Sequence, residues 1–283
     1  YIIFYYNSIN MNIYDCFMYF DEDMLLDLRL NSLDKFVKKF VITEATYTHN
    51  GAKKKLNFDI KKFKKFKSKI DYVSLKKINI DDKIKLKKNW DIGHLRDQSM
   101  RNEIQNNLVE AHEEDWIIIS DLDEIPNPLK IQEFKSREKF AFFEQNFFYY
   151  KFNVLNETQP KWYGSRICVK KYLKSPQWLR NIKIKNRNFF KRFLFNQNYQ
   201  IIKNGGWHFS NLKNPSELVK KISSFCHGEL NRPEFKDEKL IKEKIKKLED
   251  IFNRSVKYKK ISIDNSFPEY LIKNKKHYLN WIE

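Results

Sequence analysis

Cysteine, glycine and proline are scarce in this sequence, at three, six and seven among 283 residues. Cys16, Cys168 and Cys226 have neither the spacing of a disulfide framework nor that of a metal-binding pair. Reduced, buried thiols are therefore expected, and nothing demands a secretory compartment. No glycine-, serine- or proline-rich linker divides the chain and no internal repeat is visible, so a single domain over 11–283 is expected. Long apolar runs are missing as well. The first ten residues are apolar but too short to span a bilayer. They precede Met11 and read as upstream read-through or the tail of a truncated anchor. No other segment has the length and apolarity to cross a membrane.

What the chain has in excess is positive charge, a formal net +19. A surplus of this size suggests nucleic acid or an anionic membrane surface as partner. Most of it is lysine scattered through expected helices and turns, as in Lys53-Lys54-Lys55 and 242–247. Lysine, asparagine, isoleucine and phenylalanine are abundant together, which a nucleotide bias in the source genome also explains. Attraction of an anionic substrate or of a lipid surface is the functional reading.

The stretch from Asp115 to Pro128 organises the rest. Trp116 to Ile119 is a short β-branched apolar run, the pattern of a strand buried on both faces. It ends in three carboxylates, Asp121, Asp123 and Glu124, followed by prolines that forbid its continuation. In open α/β sheets ligands sit beyond the carboxyl ends of the strands. Carboxylates there, two residues apart, can reach one hard divalent cation and the diphosphate oxygens it bridges. The plainer alternative is an acidic turn that caps the next helix.

Upstream, Asn12 to Phe20 reads as a strand, Asp21-Glu22-Asp23 as the cap of a helix, and Phe36 to Glu44 as a second strand. This β-α-β opening predicts a parallel pair with a right-handed crossover. Glu44 and His49 then fall on the same sheet edge as Asp121. Glu44 there could hold a nucleoside hydroxyl or an acceptor, or simply order a loop. Lys53 to Lys69 reads as a basic loop and amphipathic helix, and Asp71 to Leu75 as a third strand. Ile92 to His112 reads as one long helix carrying Asp97 and Arg101 at i, i+4, either a surface ion pair or a group reaching a phosphate.

Downstream, Phe140 to Val154 is dense in aromatics and reads as two strands bent around Glu144-Gln145-Asn146. A carboxylate in so apolar a segment either has a raised pKa and serves as general base or is paired with a lysine. Trp162 to Val169 and Asn188 to Phe195 read as further β structure. Asn204 to Ser210 reads as a loop whose paired glycines admit a close approach to a ligand, with His208 supplying an imidazole. Asn214-Pro215-Ser216-Glu217 has the residues of a capped helix start. His227 and Glu229, after that helix, either complete a site or cap it. Lys236 to Asn253 reads as a solvated helix, and Pro268 to Glu283 as a packed tail.

Five motifs occur in order: Asn12-Ile-Tyr-Asp-Cys-Phe with Leu28-Arg-Leu; 40–51, Phe-Val-Ile-Thr-Glu-Ala-Thr-Tyr-Thr-His-Asn-Gly; 118–126, Ile-Ile-Ser-Asp-Leu-Asp-Glu-Ile-Pro; 206–210, Gly-Trp-His-Phe-Ser; and 221–229, Lys-Ile-Ser-Ser-Phe-Cys-His-Gly-Glu. The set resembles the family 17 glycosyltransferases over roughly Asn12 to Glu229, with 236–283 as a helical tail carrying little of it. The resemblance implies an α/β fold of the GT-A type, with a central, mostly parallel sheet flanked by helices. It also implies inverting transfer of N-acetylglucosamine from UDP-GlcNAc, in this family to the core mannose of N-glycans. Asp121 and Asp123 match the family's metal-diphosphate acids, and His208 stands where a late metal-ligating histidine is common. Asp97 and Arg101 match an acid-x-x-x-Arg pattern, and Glu44, Glu124, Trp207 and His227 join them as donor-binding candidates. The cation is expected to be manganese or magnesium.

For the general base the candidates are Glu144 and Glu229. The partners expected are a nucleotide-sugar donor and a glycan acceptor, with no nucleic acid and with peripheral membrane contact through the basic surface. The expected location is cytoplasmic or peripheral to a membrane, or the Golgi lumen if an anchor has been lost. Two other readings compete. One is a transferase of another nucleotide sugar, for surface polysaccharide or lipopolysaccharide. The other is a basic nucleic-acid-binding module that stacks bases on its aromatics.

Overall fold

The structure is a computed structural model that describes residues 11–77, 91–184 and 199–283. Its strands are β1 (Ile13–Met18), β2 (Lys39–Ala45), β3 (Ile70–Leu75), β4 (Trp116–Asp121), β5 (Glu124–Pro126), β6 (Phe140–Tyr149), β7 (Val154–Asn156), β8 (Lys161–Trp162), β9 (Arg166–Val169), β10 (Tyr199–Ser210) and β11 (Tyr258–Lys260). All belong to one mixed sheet. β4, β1, β2 and β3 lie side by side in parallel, and the Asn188 to Phe195 segment lies outside the described residues. The helices are α1 (Asp23–Leu33), α2 (Asp91–Asn102), α3 (Pro128–Ile131), α4 (Pro176–Asn181), α5 (Pro215–Ser224), α6 (Glu238–Lys246) and α7 (Glu269–Lys273). This is the α/β architecture expected, a mostly parallel sheet flanked by helices. Among the described residues no helix is long and apolar enough to cross a membrane.

The parallel strands are apolar on both faces because both are covered. Ile13, Phe17, Phe40, Ile42 and Ile118 join the largest cluster, beneath α1. Their neighbours Tyr14, Cys16, Val41, Ile117 and Ile119 pack on the other face with Ile104, Leu108 and Leu179. The two-residue period of a strand assigns each side chain to its face. Asp15 is the exception among apolar neighbours, and its buried carboxylate meets the equally buried Arg29 at 2.6 Å.

Several elements differ from the sequence expectation. β6 is continuous through Glu144-Gln145-Asn146, because tertiary partners satisfy its polar groups. The Gln145 amide donates to the carbonyls of Ile125 and Trp207 at 3.2 and 3.3 Å, and Asn146 accepts from Lys161 at 2.8 Å. The long helix from Ile92 stops at Asn102 and tightens into a 3₁₀ turn over Glu103–Asn107. Lys64–Lys69 is likewise a 3₁₀ turn. Asn204 to Ser210 is part of a strand, not a loop. A Cβ on Gly206 (φ +144°) would lie 2.2 Å from the Ile125 carbonyl oxygen. The glycine pair thus serves a close approach of β10 to β5. At the C-terminal end, β11 adds a strand to β7, and α6 is shorter than expected.

The start of α5 is as the sequence implies. Asn214 accepts from the Glu217 amide at 2.9 Å, and the Glu217 carboxylate accepts from the Asn214 amide at 2.9 Å, with Pro215 at the first position.

Candidate active site

Beyond the carboxyl ends of β1 and β4 lies a cleft of about 720 Å³. Its floor is the turn between β4 and β5, and Arg29 fixes that turn from beneath. The guanidinium donates to the carbonyls of Asp121, Leu122 and Glu124 at 3.0, 3.1 and 2.9 Å, and to the Ser120 hydroxyl at 2.5 Å. Four backbone and hydroxyl acceptors are thereby tied to one buried cation held by Asp15, so the turn that carries the acids is rigid.

Above it the acids are met by two more arginines. Arg101 of α2 binds Asp121 at 3.0 Å and Asp97 at 2.8 Å, and it also donates to Gln177. Arg180 of α4 binds the other Asp121 oxygen at 2.8 Å and Glu124 at 2.7 Å. Burial raises the Asp121 pKa, but Arg180 and Arg101 outweigh that and hold it well below the usual carboxylate range. Glu124 is enclosed, accepting from the Trp162 indole at 2.7 Å and donating nothing, while its other oxygen takes the Asp121 amide at 2.9 Å. Gly164 makes room for this: a Cβ there would stand 1.8 Å from a Glu124 oxygen and 2.3 Å from the indole nitrogen.

Asp123 has a different neighbour. Antiparallel pairing of β10 with β5 sets His208 opposite Glu124 and ties the Phe209 amide to the Asp123 carbonyl at 2.8 Å. The His208 imidazole then lies 3.6 Å from the Asp123 carboxylate, stacked on Phe147 at 4.6 Å and tilted against Trp162 at 4.9 Å. Burial raises the Asp123 pKa, but His208 outweighs it and the value is lowered. A divalent cation fits this pair. Two ligand atoms each about 2.1 Å from one ion lie roughly 3 to 4 Å apart, and both face the cleft. Asp121, which the sequence reading expected to complete the set, also faces the cleft, where a guanidinium meets each of its oxygens.

The 5–279 stretch of the sequence matches glycosyltransferase family 17. The chain belongs to that family. No curated protein gives a significant match to it. A family 17 glycosyltransferase moves a sugar from a nucleotide-sugar donor to an acceptor, which decides for an enzyme over a basic binding module. The match extends past Glu229 into the tail that sequence motifs left unassigned, and the tail is built into the enzyme. Tyr258 of β11 and Phe252 pack with Phe147 and Tyr149 of the cleft wall.

Of the expected site residues, Asp97, Asp121, Asp123, Glu124, His208, His227 and Glu229 line the cleft of this transferase. Arg101 stands behind them, buried. Three others do not belong there. Glu44 is fully buried, and its carboxylate is consumed by Lys54, the amides of Asn57 and Phe58 at 2.7 and 3.1 Å, and the Tyr72 hydroxyl at 2.8 Å. It orders a loop. Trp207 points into the main core with its indole donating to the Ser266 carbonyl at 2.8 Å. Glu144 lies on the face of β6 opposite Phe147 and Tyr149. Burial raises its pKa, but bonds from Lys203 at 2.7 Å and Tyr163 at 2.9 Å outweigh that and lower it. A base with a raised pKa is therefore not found there.

Sequence reasoning missed Arg29, Arg180, Trp162 and Gly164. Arg29 lay inside a recognised motif without a role. Ser175 caps the short helix α4, its hydroxyl accepting from the Trp178 amide at 3.0 Å, with Pro176 at the first position. Nothing in that local pattern said that Arg180 at its end would meet Asp121.

Proposed function

We propose that the cleft binds UDP-N-acetylglucosamine together with a divalent cation, manganese or magnesium, and transfers the sugar with inversion to a glycan hydroxyl. The core mannose of an N-glycan is the acceptor that the family resemblance favours. The observation that carries this reading is an inversion of charge. The chain is net +19, yet six carboxylates (Glu22, Asp97, Asp121, Asp123, Glu124, Glu229) line the cleft against Lys221 and Arg254. Even with Arg101 and Arg180 counted, the acids outnumber the cations. An anionic diphosphate is repelled from such a surface unless a cation comes with it.

A cation on Asp123 and His208 would neutralise the charge that develops on the departing diphosphate. The protein's own contribution is positional. Arg29 holds the turn, Arg101 and Arg180 keep Asp121 ionised and immobile, and the Glu124–Trp162 bond fixes one edge of an aromatic wall. Phe147, Tyr149 and Trp162 offer that wall to the apolar face of a sugar or base.

A screen of UDP- and GDP-sugars against N-glycan and polysaccharide acceptors, with manganese and with chelator, tests the reading. Transfer from UDP-GlcNAc that chelation abolishes is the expected result. Preference for another donor would move the enzyme to surface-polysaccharide synthesis, and undiminished transfer under chelation would remove the cation.

A further inference from the structure

Three side chains able to ligate a metal converge at the rim of the cleft. His94 is on α2, and His227 and Glu229 follow α5. One ligand atom from each lies within 4.8 Å of the others. The His227 Nδ1 is 3.0 Å from Glu229, and the two imidazoles meet edge to face with centroids 5.2 Å apart. The second Glu229 oxygen, Oε2, is shielded from solvent and has no hydrogen-bond partner. A carboxylate oxygen left in that condition costs free energy that a ligand would recover.

The backbone is shaped to bring these groups together. Gly93, next to His94, packs against the Cys226 backbone next to His227. A Cβ on Gly93 would lie 3.1 Å from the Cys226 carbonyl oxygen and 3.3 Å from its Cα. A side chain at this position would have to displace the Cys226 backbone by a few tenths of an ångström.

We propose that His94, His227 and Glu229 form a binding site for a divalent transition-metal ion of the zinc class, separate from the Asp123–His208 pair. Two imidazoles and one carboxylate are a borderline-soft donor set that suits zinc better than the all-oxygen preference of magnesium or calcium. Three protein ligands leave one position of a tetrahedral ion open, and two of the three, His227 and Glu229, line the cleft. The ion ties the start of α2 to the segment after α5 and so clips one rim of the cleft. It also removes Glu229 as a free general base, since a carboxylate on a dication has lost most of its basicity.

Zinc titration of the metal-free full chain, followed by calorimetry near neutral pH without donor or acceptor, tests this. Because no turnover is read, failure here is distinguishable from failure of the transferase reading. The wild type is expected to bind zinc at this site, and His94→Ala, His227→Ala and Glu229→Gln each to weaken it by at least about 100-fold, since even outer-shell changes cost 10- to 100-fold. Asp123→Asn is expected to leave it intact. The ligands come from two separate segments, so a variant that misfolds does not spare the others from the test. No zinc uptake by the wild type, undiminished uptake by the ligand variants, or loss in Asp123→Asn would overturn a separate rim site.

Discussion

The floor and the rim of the cleft treat their carboxylates in opposite ways. On the floor, Asp121 and Glu124 have their partners chosen in advance, and only Asp123 is left to an imidazole at 3.6 Å. Asp121 has a guanidinium on each oxygen, Glu124 has Arg180, an indole and a backbone amide, and the turn itself hangs on Arg29. At the rim, the Glu229 carboxylate has only its own backbone amide and one half-exposed imidazole, with no guanidinium or ammonium on either oxygen. The difference teaches that burial and chemical type do not by themselves assign a carboxylate its task. A saturated acid is a fixed piece of electrostatics, whereas an acid with unfilled valence can accept a ligand.

The largest expected effect comes from breaking the floor. Arg180→Met leaves Glu124, only 1% exposed, without its counter-charge. Removing one partner of such a buried pair costs about 3–5 kcal/mol, which denaturant unfolding measures. Adding Glu124→Gln removes the stranded charge as well, so the double variant should be more stable than the single one. If the two are equally unstable, the floor is held by packing and not by the arginine.

Next comes Asp123→Asn, on the one floor acid that no guanidinium engages. It keeps shape and forfeits charge. Transfer should fall by about 100-fold or more, the loss typical when a group that stabilises developing charge is removed, while stability should change by only about 1 kcal/mol. The variant also reads the acid limb of stability. Asp123 has a folded pKa lowered by His208 despite burial, so the unfolded chain binds the proton more readily. Its contribution is present above the unfolded value near about 4 and is lost as pH falls through the folded value. Asp123→Asn should therefore flatten the loss of stability below about pH 4. An unchanged acid limb would mean that the His208 contact contributes nothing to the fold.

Much of the floor was legible because it is local. A β-branched run ending in acids and prolines specifies a buried strand and where it stops, and the β-α-β opening needs only neighbouring residues to be read. The five motifs in order carried the family. What escaped reading depends on partners distant in sequence. Gly205-Gly206 looks like a loop until β5 is seen lying against it. Glu144-Gln145-Asn146 looks like a bend until Lys203, Tyr163 and two carbonyls satisfy it inside a strand. Glu144 and Phe147 differ by three residues, which in an unbroken strand places them on opposite faces. A bend would have freed that parity, and the base assignment went with it. Arg180 escaped because a short helix positions it across 59 residues from Asp121.

The smallest effect is expected where the rim is changed without metal. The His227–Glu229 pair is 51% and 37% exposed, so solvent already competes for both groups. Such pairs contribute about 0–1 kcal/mol, and Glu229→Gln should shift the unfolding midpoint of the metal-free protein hardly at all. Glutamine keeps an oxygen for His227, so the loss is confined to the charge of a solvent-screened pair. The same substitution made on zinc-loaded protein should cost much more, because the wild type then gains stability from an ion that binds only the folded chain and the variant does not. The two measurements together isolate the rim's character. A large loss without metal would mean that Glu229 is held as firmly as the floor acids, and the contrast between the two regions would collapse.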